Sequence, residues 1–201
     1  MRIQASSEHR KLLPRHERRD SILRAAATAF AHAGFAETSM EDVAAAAGIT
    51  KLIVYRHFGS KEDLYRAVLE QVSQRQAQVF VDNVLEGSRS LGLRTFLTVA
   101  RENPDGFVLL WRHAYREPEF AAYARDFREK AVEVARTPLA AATAARPELA
   151  AWAPEMLIDL LVSAVLAWLE HGDAAADAQF LTVATAGIRS MVDSWSQDVS
   201  T

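Results

Sequence analysis

Apolar residues recur at helical spacing along most of this chain, and no stretch alternates as a half-buried strand would. Ile22, Ala25, Ala26, Ala29, Phe30 and Ala33 line one face of a helix predicted over 15–33, which Gly34 ends. Met40, Val43, Ala46 and Ala47 make a short second helix. Ser39 before it and Asp42 three residues on supply an N-cap and a capping-box partner. Gly48 follows at the position where a left-handed residue stops a helix, and Thr50 then caps a third segment, 51–58. Ser60 with Asp63 opens a long helix over about 60–85, carrying Leu64, Ala67, Val68, Val72 and Val79. Further helices are expected over 91–102, 104–116 and 119–144. An Ala-rich irregular connection follows at 140–153, then a helix with Pro154 in its first turn running to His171, and a last helix over 173–197. The chain reads as all-α. Its first third forms a three-helix unit with a helix-turn-helix, and a larger helical domain follows.

Two short helices joined through a glycine turn can present the second helix to a DNA major groove. The polar side chains on and beside that helix are Thr50, Lys51, Tyr55, Arg56, His57 and Lys61, all hydrogen-bond donors and none acidic. Phosphate oxygens and guanine edges are acceptors, so such a surface suits DNA. Lys51 is the candidate for guanine O6/N7, and Leu52 and Ile53 for a thymine methyl. Thr50, Tyr55, His57 and Lys61 are candidates for phosphates, joined by Ser39 from the preceding helix, while Arg56 fits either role.

The net charge of -3 conceals a division. Residues 1–61 carry ten Lys/Arg against six Asp/Glu, and residues 62–201 carry thirteen against twenty. A basic end on an acidic body puts the polyanion-binding surface in the first third. Residues 1–14 are polar and unpatterned, either a solvated tail or a basic arm (Arg10 and Lys11 lie in it) that reaches phosphates or the minor groove. The organisation is therefore read as a flexible basic arm over 1–14, a helix-turn-helix DNA-binding domain over 15–62, and a larger helical domain over 63–201.

With no cysteine there is no disulfide or thiolate metal site, and the six histidines lack ligand spacing. No cofactor is expected. A charge within about 18 residues breaks each apolar run before it reaches bilayer length, and the N-terminus has no signal-peptide core, so the expectation is a cytoplasmic protein without a membrane partner. Nucleophile-elbow, phosphate-loop and dinucleotide motifs are missing, which argues against an enzyme.

Gly34-Phe35, Thr38-Ser39, Val43-Ala44, Ala47-Gly48-Ile49, Tyr55-Arg56-His57-Phe58 and Lys61 together resemble the DNA-binding half of a TetR-family transcriptional regulator. Leu52 and Ile53 are bulkier than that family's usual residues there. The resemblance implies an effector pocket among the aromatic middle helices, for which Phe107, Trp111, Tyr115 and Tyr123 are the candidates. In the last two helices apolar stripes are wider than one face. Either both stripes serve one chain's core, or one packs against an identical helix pair. The resemblance favours the second, with Leu161, Ala164, Trp168, Ala184, Gly187 and Met191 at a four-helix interface. The function expected is a homodimeric repressor that binds a palindromic double-stranded operator and is released by a small molecule. The alternative is a helical DNA-binding or interaction protein without a specific operator or effector.

Overall fold

The computed structural model describes residues 14–87, 90, 92–144 and 146–196. The arm, with Arg10 and Lys11, lies outside them apart from Pro14. Among the described residues every regular element is helical: α1 (Arg15–Glu37), α2 (Met40–Ala46), α3 (Lys51–His57), α4 (Lys61–Leu85), α5 (Leu93–Glu102), α6 (Pro104–Val108), α7 (Ala121–Thr143), α8 (Pro147–His171) and α9 (Asp177–Ser196). After α6 the winding continues through a wide π turn, Leu109–His113, and a 3-10 turn, Ala114–Arg116.

Helix α1 buries Ile22, Leu23, Ala26, Ala27 and Phe30. Ile22, Ala26 and Phe30 lie on the predicted stripe, while the buried face extends to Leu23 and Ala27 and leaves Ala25 and Ala29 half-buried. Gly34 breaks the winding at φ 84° and ψ 166°, a region essentially restricted to glycine, so 35–37 form a separate short turn. The buried Thr38 secures that break: its hydroxyl donates to the Gly34 carbonyl at 2.7 Å. Helices α2 and α3 then lie across α1, held by Met40, Val43, Ala44, Val54 and Phe58.

Helix α4 begins in this head and ends in the body. Its first turns bury Leu64, Tyr65 and Val68, and its later turns Val72, Gln76 and Val79. The joint is aromatic. Phe120, from the corner before α7, is buried with its ring 4.3 Å from that of Tyr65 and 5.1 Å from that of Phe35. Thr28 on α1 also donates to the Asp105 carboxylate on α6 at 2.6 Å.

In the body α8 packs against both α7 and α5, and α9 against the same two helices. Arg101 of α5 makes a two-pronged ion pair with Asp177 at the start of α9, and the Trp168 indole of α8 donates to the same carboxylate at 2.6 Å. Arg128 of α7 bridges Glu155 and Asp159 of α8.

Two sequence expectations are corrected here. The stretch 140–153 is not an irregular connection: α7 runs to Thr143 and α8 starts at Pro147. Alanine is the best helix former, and Pro147 takes the first-turn position where a missing N–H costs nothing. Pro154 therefore falls inside α8, where it cannot donate to the carbonyl of Ala150. Arg136 from α7 donates to that carbonyl instead, at 2.9 Å. Helix α8 is also long and apolar enough to cross a membrane by length and composition, contrary to the sequence reading. With at most two charged residues its most apolar 18-residue window keeps a mean hydropathy of 1.7, and 44% of that window is buried within the protein.

Candidate nucleic-acid interface

The turn between α2 and α3 fixes what α3 can present. The Ser39–Asp42 capping box is complete: the Asp42 amide donates to the Ser39 hydroxyl at 3.2 Å, and the Asp42 carboxylate accepts from the Ser39 amide at 2.8 Å. The Ser39 hydroxyl also donates to that carboxylate, at 2.6 Å, and these bonds hold the Asp42 carboxyl below the usual range. Gly48 adopts φ 64° and the Ile49 amide closes back on the Ala44 carbonyl at 3.0 Å. Helix α3 is then anchored by Val54 (0% exposed) and by Phe58 just beyond its end.

Anchoring on that face leaves Lys51, Leu52, Tyr55 and Arg56 exposed, with Ile53 and His57 half-buried. Leu52 is 61% exposed, far more than a leucine packed within its own domain. Thr50 occupies the N-cap position of α3 without making a side-chain capping bond. The Lys51 ammonium is paired with the Glu41 carboxylate of α2 and lies 5.4 Å from the Tyr55 ring centre. This pairing holds the Glu41 carboxyl below its ordinary range and the Lys51 ammonium above its own.

Lys61 is placed differently from its neighbours. Its ammonium donates to the carbonyls of Phe35 and Ala36 at 2.8 and 3.2 Å and sits 4.4 Å from the Phe35 ring centre. The N-terminal end of α1 approaches α3 from the other side, with the Arg19 guanidinium 4.8 Å over the Phe58 ring. Burial pushes the His57 imidazole below its ordinary value, and the positive charges of Arg15, Arg19 and Arg18 push it further. The arginines of α1 and the donors of α3 therefore share one positively charged surface.

Among the body residues expected to line a pocket, Phe107 is fully buried and Trp111 and Tyr123 are half-buried, while Tyr115 is 45% exposed. Trp111 packs between Phe96, Phe107 and Phe127, at ring separations of 5.2, 6.3 and 5.3 Å. Two buried polar residues of α4 reach into this aromatic group, which the sequence reading did not single out. Gln76 accepts from the Trp111 indole at 3.1 Å, and the Ser73 and Tyr123 hydroxyls share a hydrogen bond of 2.7 Å. The available signal was two polar residues interrupting the apolar stripe of α4 between Val72 and Val79. A cleft of about 900 Å³ lies elsewhere, between the end of α4, α5 and α9, lined by Arg94, Leu181, Thr182, Thr185 and Arg189 among others.

Of the residues expected at a dimer interface, Leu161 is buried within its own chain, where its side chain approaches Gly92. Trp168 stacks on Phe180 at 4.6 Å. Ala164, Ala184 and Met191 are half-buried and Gly187 is exposed. Leu160 of α8 and Val183 of α9, at 36% and 65% exposure, stand outward on the same helix pair. No group of three or more His, Asp or Glu among the described residues could hold a metal ion.

Residues 22–68 match the family model described as bacterial regulatory proteins, tetR family. The chain is 34% identical over 125 residues to the HTH-type transcriptional activator FasR of Mycolicibacterium smegmatis. That match takes in 55% of this chain and 53% of FasR, so the chain spans about half the length of that relative. A TetR-like transcriptional regulator from Rhodococcus sp. RHA1 superposes with a TM-score of 0.63 at 25% identity, over 88% of this chain and 98% of that one. The structure of AibR in complex with isovaleryl coenzyme A and operator DNA superposes with a TM-score of 0.67 at 20% identity, over 84% and 96%. With the motif residues of α1 to α4 in this geometry and these matches across them, residues 22–68 form a unit similar to the DNA-binding part of the tetR family of bacterial regulatory proteins.

Proposed function

We propose that the protein is a dimeric transcriptional regulator that binds a palindromic operator through α3 and is released from it by a small molecule. One observation carries the reading: α3 is held by Val54 and Phe58 so that Lys51, Leu52, Tyr55 and Arg56 all face outward, beside the arginines of α1. Arg and Lys ends pair with guanine edges or phosphates, and an exposed Leu with a thymine methyl. Such chemistry fits a protein that works on DNA in the cytoplasm and calls for no catalytic group.

Dimerisation supplies the second reading head. Outward Leu160, Val183 and Gly187, with half-buried Ala164, offer small and apolar surface for a second copy of α8 and α9, and a two-fold pair of heads matches a two-fold DNA site. The effector's place is the aromatic group around Trp111, with Phe107 and Tyr123 as apolar wall and Gln76 and Ser73 as polar handles. A ligand there would move α4 and the Phe120 corner, and so the angle of each head. That AibR was solved with both isovaleryl coenzyme A and operator DNA supports a reading in which one chain of this fold takes both partners. The name of FasR favours a second version, in which the same contacts activate transcription.

A reporter fused to a bound promoter separates the two versions: deleting the protein raises expression for a repressor and lowers it for an activator. For the coupling itself, effector affinity is measured with and without operator. Equal affinity in both states would remove the release mechanism.

A further inference from the structure

We infer that Glu41 is a base-reading residue, and that Glu41 and Lys51 together read one G·C base pair. In this reading the Lys51 ammonium donates to guanine O6 or N7, while the Glu41 carboxylate accepts from the amino group of the paired cytosine. The inference rests on the assignment of α3 to the major groove.

The geometry comes from the turn. Glu41 lies in the first turn of α2 and Lys51 opens α3, ten positions later, yet the Gly48 turn brings the two charged ends together. Both side chains stay about half exposed, at 56% and 48%. An exposed pair of this kind adds little to folding. The other acid of this turn, Asp42, turns one carboxylate oxygen to the Ser39 amide and hydroxyl in the capping box, whereas Glu41 is directed across to Lys51 of the reading helix.

Electrostatics then separates what the pair can do from what it cannot. A carboxylate on a surface facing phosphates is repelled by every duplex, whatever its sequence. Paired with Lys51 it makes a net-neutral unit, which releases no extra counterions and so adds nothing to non-specific affinity. What the unit does offer is a donor beside an acceptor. The major-groove edge of a G·C pair offers the complement, guanine O6 and N7 as acceptors beside the cytosine amino donor. An A·T pair also combines donor and acceptor, but its thymine methyl opposes a charged carboxylate. Lysine for guanine and glutamate for cytosine are each favoured pairings in the major groove. The ring of Tyr55, 5.4 Å from the Lys51 ammonium, helps keep the pair in place.

The test is a cycle between protein and base. The preferred half-site of the full-length protein is first selected from a randomised duplex library. Cytosine at the G·C pair most dependent on Lys51 is then replaced by a pyrimidinone lacking the 4-amino group. Wild type and Glu41→Ala, with Glu41→Gln as a near-isosteric check, are titrated against both duplexes and random DNA. The expected result is that deleting the amino group weakens wild type on the order of 10-fold or more and leaves Glu41→Ala nearly unaffected. Glu41→Ala should also bind random DNA more tightly than wild type, since a repulsive charge is gone. Undiminished G·C selectivity in Glu41→Ala, or independent losses from the two deletions, would overturn the inference while leaving α3 as the reading helix. Failure of wild type to bind any duplex at low salt would overturn both.

Discussion

His57 lies half-buried at the end of α3 beneath three arginines of α1, and its imidazole is held below the ordinary histidine value by burial first and by Arg15, Arg19 and Arg18 next. Nearby phosphates would favour the charged imidazole, so its pKa in the DNA complex must lie above that in the free protein. Binding then takes up a proton between those two values. Operator affinity should rise as pH falls through the complex's pKa and level off below that of the free protein, and His57→Ala should flatten the profile. A wild-type affinity that is constant across the histidine range would contradict this. Folding stability has the opposite sign. A histidine whose native pKa is depressed resists protonation, so stability is full above about 6.5 and is lost as pH falls through the lower native value. His113, lowered by burial and then by Arg116 and Arg112, adds to the same trend.

Lys61 bonds within the head. The sequence reading gave it a phosphate, and its donors are turned to the last carbonyls of α1. Lys61→Ala should lower stability by about 1 kcal/mol, read as a drop of several degrees in Tm. A uniform loss of DNA affinity at unchanged Tm would restore the phosphate contact. Residue identity suffices to mark a lysine as basic, but its direction depends on a carbonyl pair some 25 positions away.

Helix boundaries turn on single backbone choices. Gly34 holds φ 84° and ψ 166° with open space where a Cβ would go, so any penalty for a side chain there comes from the backbone alone. Gly34→Ala should destabilise the head by roughly 1–3 kcal/mol, measured by chemical denaturation. A neutral result would mean that the break can be made in a conformation open to alanine. Gly106 is the contrasting case: its Cβ would meet Asn103 and the Val72 side chain at 2.6 and 2.7 Å, so Gly106→Ala should push α6 away from α4. The head was legible because its signals are local. Ser39, Asp42, Gly48 and Gly34 each act within a few residues of themselves. The stretch 140–153 was not, because proline signals a helix start or an interior kink with equal ease. What decides between them is Arg136, which satisfies the Ala150 carbonyl from another helix. The π turn at Leu109–His113 likewise has no local signal.

Across the whole molecule the chain has a basic head, a joint plugged by Phe120, and a body whose last two helices bury one face each and expose Leu160 and Val183. Reading the stripes of α8 and α9 gave the elements but not their azimuth: Leu161 belongs to the interior, while Leu160, one position away, stands outside. A shift of one residue turns a helix face by about 100°, and only the neighbouring helices settle it. If α8 and α9 form the dimer, Val183→Glu should convert the protein to a monomer in sedimentation and cost it affinity for a two-half-site duplex. The same change should affect binding to a single half-site far less. An unchanged dimer would move the interface elsewhere. The aromatic group around Trp111 was visible as residue types, but Gln76 and Ser73, its polar partners, became apparent only when α4 was placed beside it.

Whether α3 reads DNA sequence is decided by a competition titration. The purified full-length protein is titrated against the DNA upstream of its own gene, with random DNA of equal length as competitor, at two salt concentrations. A sequence-reading α3 gives a preference of about a thousandfold or more for the upstream duplex, over a salt-dependent non-specific background. Binding that is equally weak on both duplexes would send the search for the operator to whole-genome fragments. Binding to no duplex at low salt would contradict the reading of α2 and α3 as a DNA-binding unit.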